Sequence, residues 1–162
     1  LRPQDNKIKP KYLGRVGSEK TLFNINKVSS DHDKVYIFEG PLNAFFTKNS
    51  VAVAGITERG KSFTARQEEQ YSGHLKWYDK VWILDSQWVD RASLIKSEVL
   101  LKQGESVFIW PEKFGKRFKD FNDIAMHCKI DEISWDFIEK NTYRDLEGII
   151  KMTQIKKYCN GR

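Results

Sequence analysis

Four short runs of continuous apolar residues, 35–38 (VYIF), 51–54 (VAVA), 81–84 (VWIL) and 107–110 (VFIW), constrain the fold of this chain more than any other feature. None alternates apolar with polar residues, so none suits a sheet with one wet face. Strands of this kind are covered on both sides, as parallel strands are. Between them lie helical patterns at 42–48, 64–71 and 90–103, the last closed by Gly104 as a stop signal. Strand then helix, repeated, predicts an α/β fold with a central parallel sheet of about four strands flanked by helices. Residues 1–33 are basic, are punctuated by Pro3, Pro10, Gly14 and Gly17, and read as an N-terminal arm. Residues 131–158 have helical spacing and are expected to add helices but no further strand.

The chain has 162 residues, enough for one substantial core and cramped for two. Its 28 Lys and Arg against 22 Asp and Glu give a formal charge of +6, which suits a polyanionic partner without selecting one. Cys128 and Cys159 stand far apart with no CxxC spacing, which argues against a zinc ribbon or a disulfide scaffold and leaves both as free thiols. His32, His74 and His127 have no mutual spacing that suggests ligation. No apolar run approaches the roughly 20 residues of a membrane span, and the first residues are too polar for a signal peptide, so a cytoplasmic protein without a membrane partner is expected. The chain begins with Leu, which suggests a processed product or a piece of something longer.

In an open parallel sheet, ligands gather beyond the carboxyl ends of the strands. Glu39 follows the first apolar run and Asp85 the third, while the fourth leads through the basic loop PEKFGKRF into KDFND, which carries Asp120. Carboxylates converging from separate strands repel one another unless a hard divalent cation lies between them, and Mg2+ or Mn2+ with oxygen ligands and substrate phosphates meets that need. Glu39, Asp85 and Asp120 are therefore the candidate catalytic and metal-binding residues. Lys116, Arg117 and Lys119, in and beside the basic loop, are candidates for nucleic-acid or nucleotide phosphates. Of the aromatic residues near the strands, Trp77, Tyr78, Trp82, Trp88 and Trp110, most are expected in the core. Trp88, beside the acidic loop, is the candidate for stacking on a base.

The segments VYIFEGPLNAFF, VAVAGIT, VWILDSQWVDRAS and KDFNDIA, in this order and at these separations, resemble the Toprim domain over roughly residues 34–127. Upstream, KPKYLGRVGSEKTLF resembles the segment that precedes Toprim in bacterial and phage-type DNA primases. The resemblance implies a basic segment at 1–33, a Toprim domain at 34–127 and a helical extension at 128–162. It implies RNA primer synthesis on single-stranded DNA from NTPs, with Mg2+ or Mn2+ near Glu39, Asp85 and Asp120 and with Lys11 facing template or nucleotide. A zinc-binding module and a helicase are the implied partners, and the host cytoplasm the location if the gene is a phage's. Where Toprim proteins usually carry Asp-x-Asp, this chain has Asp85-Ser86-Gln87, and Asp90 replaces a common glycine; against the family pattern, Gln87, Asp90, Asn122 and Asp123 are the implied further oxygen donors. The 162 residues include neither the zinc module nor the full amino-terminal polymerase subdomain of a complete primase, so alone they are not expected to prime. The alternatives are a non-catalytic nucleic-acid-binding module and a Toprim nuclease or topoisomerase fragment.

Overall fold

The computed structural model describes residues 19–53, 56–57 and 59–161. All four apolar runs form strands of one sheet: β1 (Lys34–Phe38), β2 (Ser50–Ala52), β5 (Asp79–Ile83) and β6 (Ser106–Phe108). Between β2 and β5 a small antiparallel hairpin, β3 (Ile56–Thr57) with β4 (Gly60–Lys61), stands apart from the sheet. The sheet order is β2-β1-β5-β6-β7, with β7 (Thr142–Tyr143) antiparallel on β6 and every other pairing parallel. The molecule is thus an α/β fold whose five-stranded sheet is mostly parallel.

Side chains alternate across the sheet and both faces are dry. Val35, Ile37, Val51, Trp82, Leu84 and Val107 pack under α3 (Arg91–Lys102) and α7 (Asp145–Asn160), against Leu94, Leu100, Leu101, Met152 and Ile155. Tyr36, Phe38, Val81, Ile83, Phe108 and Trp110 face the opposite layer, made by α1 (Pro41–Ala44), α4 (Glu112–Gly115), α5 (Phe121–Cys128) and α6 (Trp135–Glu139). Phe121 is the hub of that layer. Its ring lies edge-on to Phe38, Phe108 and Trp110, with centroids 5.4–5.5 Å apart, the arrangement the ring quadrupole favours.

Several elements differ from their sequence expectation. The pattern at 42–48 gives only the single turn α1, because Asn49 takes a left-handed conformation (φ 49°) and Ser50 Oγ turns back to donate to the Ala44 and Thr47 carbonyls. The pattern at 64–71 begins as expected, with a capping box between Thr64 and Gln67 at the start of α2 (Ala65–Glu69). It then widens into a π turn over Gln70–His74. Helix α3 fits: Asp90 caps its start and Gly104, at φ +77°, lies just past its end. The expectation of no further strand after residue 131 is corrected by β7. Two residues are too few to show a period, but they close the edge of β6, and Asn141 O continues the ladder by accepting from Ile109 N at 2.8 Å. The described part of the expected extension, residues 128–161, thereby contributes a strand to the same sheet. Among the described residues no helix is long and apolar enough to cross a membrane.

Helix α7 approaches α3 through Gly148, where an added Cβ would lie 2.4 Å from Leu101 Cδ2, a side chain 2% exposed. Gly148→Ala is expected to push the two helices apart and lower stability by about 1–2 kcal/mol. The check is a reduced urea midpoint at unchanged m-value.

Candidate functional site

The route of the chain through the sheet creates the site. From β1 it passes outward to β2, then returns past β1 to β5 and on to β6, so the strand order reverses between β1 and β5. Ligands of open α/β sheets lie in the crevice at such a reversal. Phe38 pairs with Ile83, so Glu39 and Asp85 leave the sheet on neighbouring strands, whose spacing is about 4.8 Å. Gly40 in extended conformation and Pro41 at the first position of α1 turn the chain away just after Glu39. The third acid arrives from the next loop. Ser86 N donates to Lys119 O at 2.7 Å, tying the loop after β5 to the one before α5, where Asp120 is the N-cap and accepts from Asp123 N at 2.9 Å. Asn122 N donates to Asn43 Oδ1 at 3.1 Å and ties α5 to α1.

Each of the two strand-end acids faces a lysine. Lys96 reaches across from α3 to donate to Glu39 Oε1 at 2.7 Å, and its side chain is only 12% exposed. Lys119 Nζ lies 3.4 Å from Asp85 Oδ2. Burial pushes the Asp85 carboxyl up to about 6; Lys119 opposes the rise, and the negative charges of Asp120 and Asp90 add to it. Asp120 is also raised, chiefly by burial. Lys119 is raised by the Asp85 charge. Asp85 and Asp120 therefore share one electrostatic environment in which negative charge is crowded. The donors are carboxylate oxygens, the kind Mg2+ and Mn2+ prefer. As the side chains lie, no group of three or more His, Cys, Asp or Glu among the described residues is arranged to hold a metal ion.

The other sequence candidates are placed as follows. Gln87 does not join the acidic set as the chain is folded. It is 1% exposed, and its Nε2 donates to Ser97 Oγ (2.9 Å) and Phe108 O (3.0 Å) while its Oε1 accepts from Trp110 N (3.1 Å). An aspartate could make neither donation, which is the physical reason for an amide here. Asp90 spends both oxygens capping α3, on Ala92 N and Ser93 Oγ. Asp123 Oδ2 accepts from Lys119 N at 3.1 Å. Lys116 pairs with Glu112 and lies over the rings of Tyr158 and Trp88, at 3.6 and 5.1 Å from their centroids. Arg117 Nη2 lies 2.6 Å from His127 Nε2. Lys11 lies outside the described residues. Trp82 and Trp110 are core, Trp77 is exposed, and Trp88 is half-buried with its Nε1 donating to Trp110 O at 2.7 Å. Cys128 and Cys159 are free thiols.

Sequence reasoning missed Lys96. Its signal was a lysine on the face of α3 that also carries the buried Ser93, Ser97 and Leu100, a position an ammonium occupies only with a partner. Compared with protein-family models and with curated protein sequences, the chain matches none.

Two outcomes follow from the geometry. Because the folded chain raises Asp85 above its ordinary 3.8, it binds the proton more tightly than the unfolded chain does, and stability falls as pH rises from about 4 to about 6. Asp85→Asn is expected to flatten that fall in metal-free buffer. At neutral pH it gains stability on the order of 1–2 kcal/mol, less what the Lys119 pair contributes, as read from urea midpoints across the window. Gln87→Asp is expected to destabilise by at least about 2 kcal/mol, because it leaves buried acceptors undonated and buries a charge; the same unfolding assay measures it.

Proposed function

We propose that the chain is the catalytic-core, Toprim-like part of a DNA primase, and that its acidic site serves metal-dependent nucleotidyl transfer on single-stranded DNA. The observation that carries this reading is the placement of Glu39 and Asp85 on either side of the reversal in strand order, with Asp120 stitched beside Asp85. The order and spacing of the motifs that resemble Toprim support it as well. Glu39, Asp85 and Asp120 are the residues that would hold Mg2+ or Mn2+. When bound, such a cation neutralises phosphate charge and lowers the pKa of an attacking hydroxyl.

The chain's own residues supply orientation and countercharge. Lys119, on a loop with its side chain more than half exposed, can turn from Asp85 to a phosphate oxygen, whereas Lys96 is enclosed and fixes the Glu39 carboxylate. Template DNA and NTPs are the proposed ligands, and a zinc-binding module and a helicase the proposed partners.

A second reading, a nucleic-acid-binding module without catalysis, is favoured by one observation. Gln87 faces the core, so the loop after β5 offers one carboxylate where an Asp-x-Asp loop would offer two.

Calorimetric titration with Mn2+ separates them. Under the primase reading the chain binds Mn2+, and Glu39→Gln or Asp85→Asn weakens binding at least about tenfold, the loss of one charged ligand. Joined to a zinc-binding module and a polymerase subdomain, the chain makes short RNA that neither variant makes. Absence of Mn2+ binding at millimolar concentration, with oligonucleotide present, leaves the binding-module reading. Cleavage of the DNA in place of RNA synthesis would select the nuclease alternative.

A further inference from the structure

On the side of the sheet edge away from β1 lies a cavity of about 420 Å³ that the acidic site does not use. Its walls are aromatic: Trp88 from the loop after β5, Tyr143 from β7 and Tyr158 from α7. Two of these rings carry ammonium groups over their faces. Lys116 Nζ lies 3.6 Å from the Tyr158 centroid, and Lys151 Nζ lies 5.4 Å from that of Tyr143. Asn141 and Gln154 add carboxamides to the lining. Glu112 is the acid at the rim, and it is paired with Lys116.

Trp88 is held in place as a wall. Its Nε1 donates to Trp110 O, its ring meets Tyr158 edge-on at 5.3 Å, and it packs so closely on α4 that a Cβ at Gly115 would lie 2.2 Å from its Cδ1. A rigid indole beside tyrosines whose faces already attract cations is a stacking surface for a planar, electron-poor ring. Lys151, which lines the cavity, is placed for the negative charge such a ring would bring with it. Carboxamides match the donor and acceptor edges of a base, and the volume falls in the range of small-ligand sites.

We infer that this cavity is a nucleotide site in which a base stacks among Trp88, Tyr143 and Tyr158 while Lys151 takes its phosphate. The occupant is a base of a single strand or a free nucleotide, which share this chemistry. Trp88 is three residues beyond Asp85, so a strand held here passes close to the acidic site. The inference rests on the nucleic-acid reading of that site but needs no metal, so it is tested in EDTA and can fail while Mn2+ binding and primer synthesis stand.

The assay is fluorescence anisotropy with a labelled oligothymidylate, with ATP and an abasic oligonucleotide as competitors. Tyr143→Leu and Tyr158→Leu keep apolar bulk and lose the π face, and each is expected to weaken oligothymidylate binding about tenfold, the effect of one stacked base. Lys151→Gln, on an exposed position, is expected to reduce the salt slope by about 0.7, one phosphate contact. The abasic oligonucleotide should compete at least about tenfold less well than oligothymidylate. ATP competition that is lost in the Tyr→Leu variants identifies a free nucleotide as occupant; oligothymidylate binding that ATP does not displace identifies the strand. If a tyrosine variant unfolds, Lys151→Glu carries the test, with a loss of at least about tenfold from reversing a phosphate contact. Absence of binding by the wild-type chain overturns the inference. So does affinity unchanged in folded Tyr143→Leu, Tyr158→Leu and Lys151→Glu chains, or equal competition by the abasic strand.

Discussion

The parallel pairing of β1 with β5 is the constraint on which the rest of the molecule depends. Those strands are adjacent in the sheet but far apart in sequence, and the register that sets Phe38 opposite Ile83 fixes where both chains emerge. Any slip by one residue would turn Val35, Ile37, Trp82 and their neighbours from one layer to the other. Because both layers are dry, no such slip is tolerable. The emergence of Glu39 and Asp85 at the same end of adjacent strands is therefore secured by hydrophobic burial several residues away from either carboxylate.

That placement is electrostatically costly, and the fold offsets the cost locally. Burial and the neighbouring acids disfavour a charged Asp85, Lys119 favours it, and burial wins. Glu39 is met by an enclosed lysine from α3. Each of these acids thus has its own lysine counter-charge, Lys96 for Glu39 and Lys119 for Asp85. Gln87 contributes from beneath. Its amide joins the loop after β5 to α3 and to the end of β6, so the floor of the site is a saturated hydrogen-bond network in place of a second charge.

The sheet was legible in the sequence because four uninterrupted apolar runs leave few alternatives to a doubly covered sheet. The positions of Glu39 and Asp85 followed from it, since a residue just after a parallel strand emerges at the carboxyl end of the sheet. Gln87 was not legible: in the string DSQ it reads as an oxygen donor next to Asp85, and only the packing of α3 on β6 turns it inward. Lys96 was hidden for the complementary reason, a charge within a helix whose partner lies 57 residues away. The strand β7 and the short α1 turn escaped because two residues, or one helical turn, carry no periodicity. Trp88 was singled out by its neighbourhood, but the tyrosines that complete its cavity come from β7 and α7, which no local pattern connects to it.

The sheet edges carry a consequence for how this chain can be joined to anything else. On one side Phe23 exchanges both backbone hydrogen bonds with Ala52 of β2, at 2.8 and 3.2 Å, and on the other β7 covers β6. A long bare edge invites another chain to add a strand, whether as a specific partner or as an aggregate. Here one edge is bridged at Ala52 by Phe23 and the other ends in a strand of two residues. Association by strand addition is thereby disfavoured on both sides, which leaves docking through side chains, on surfaces where charge and shape can be selective.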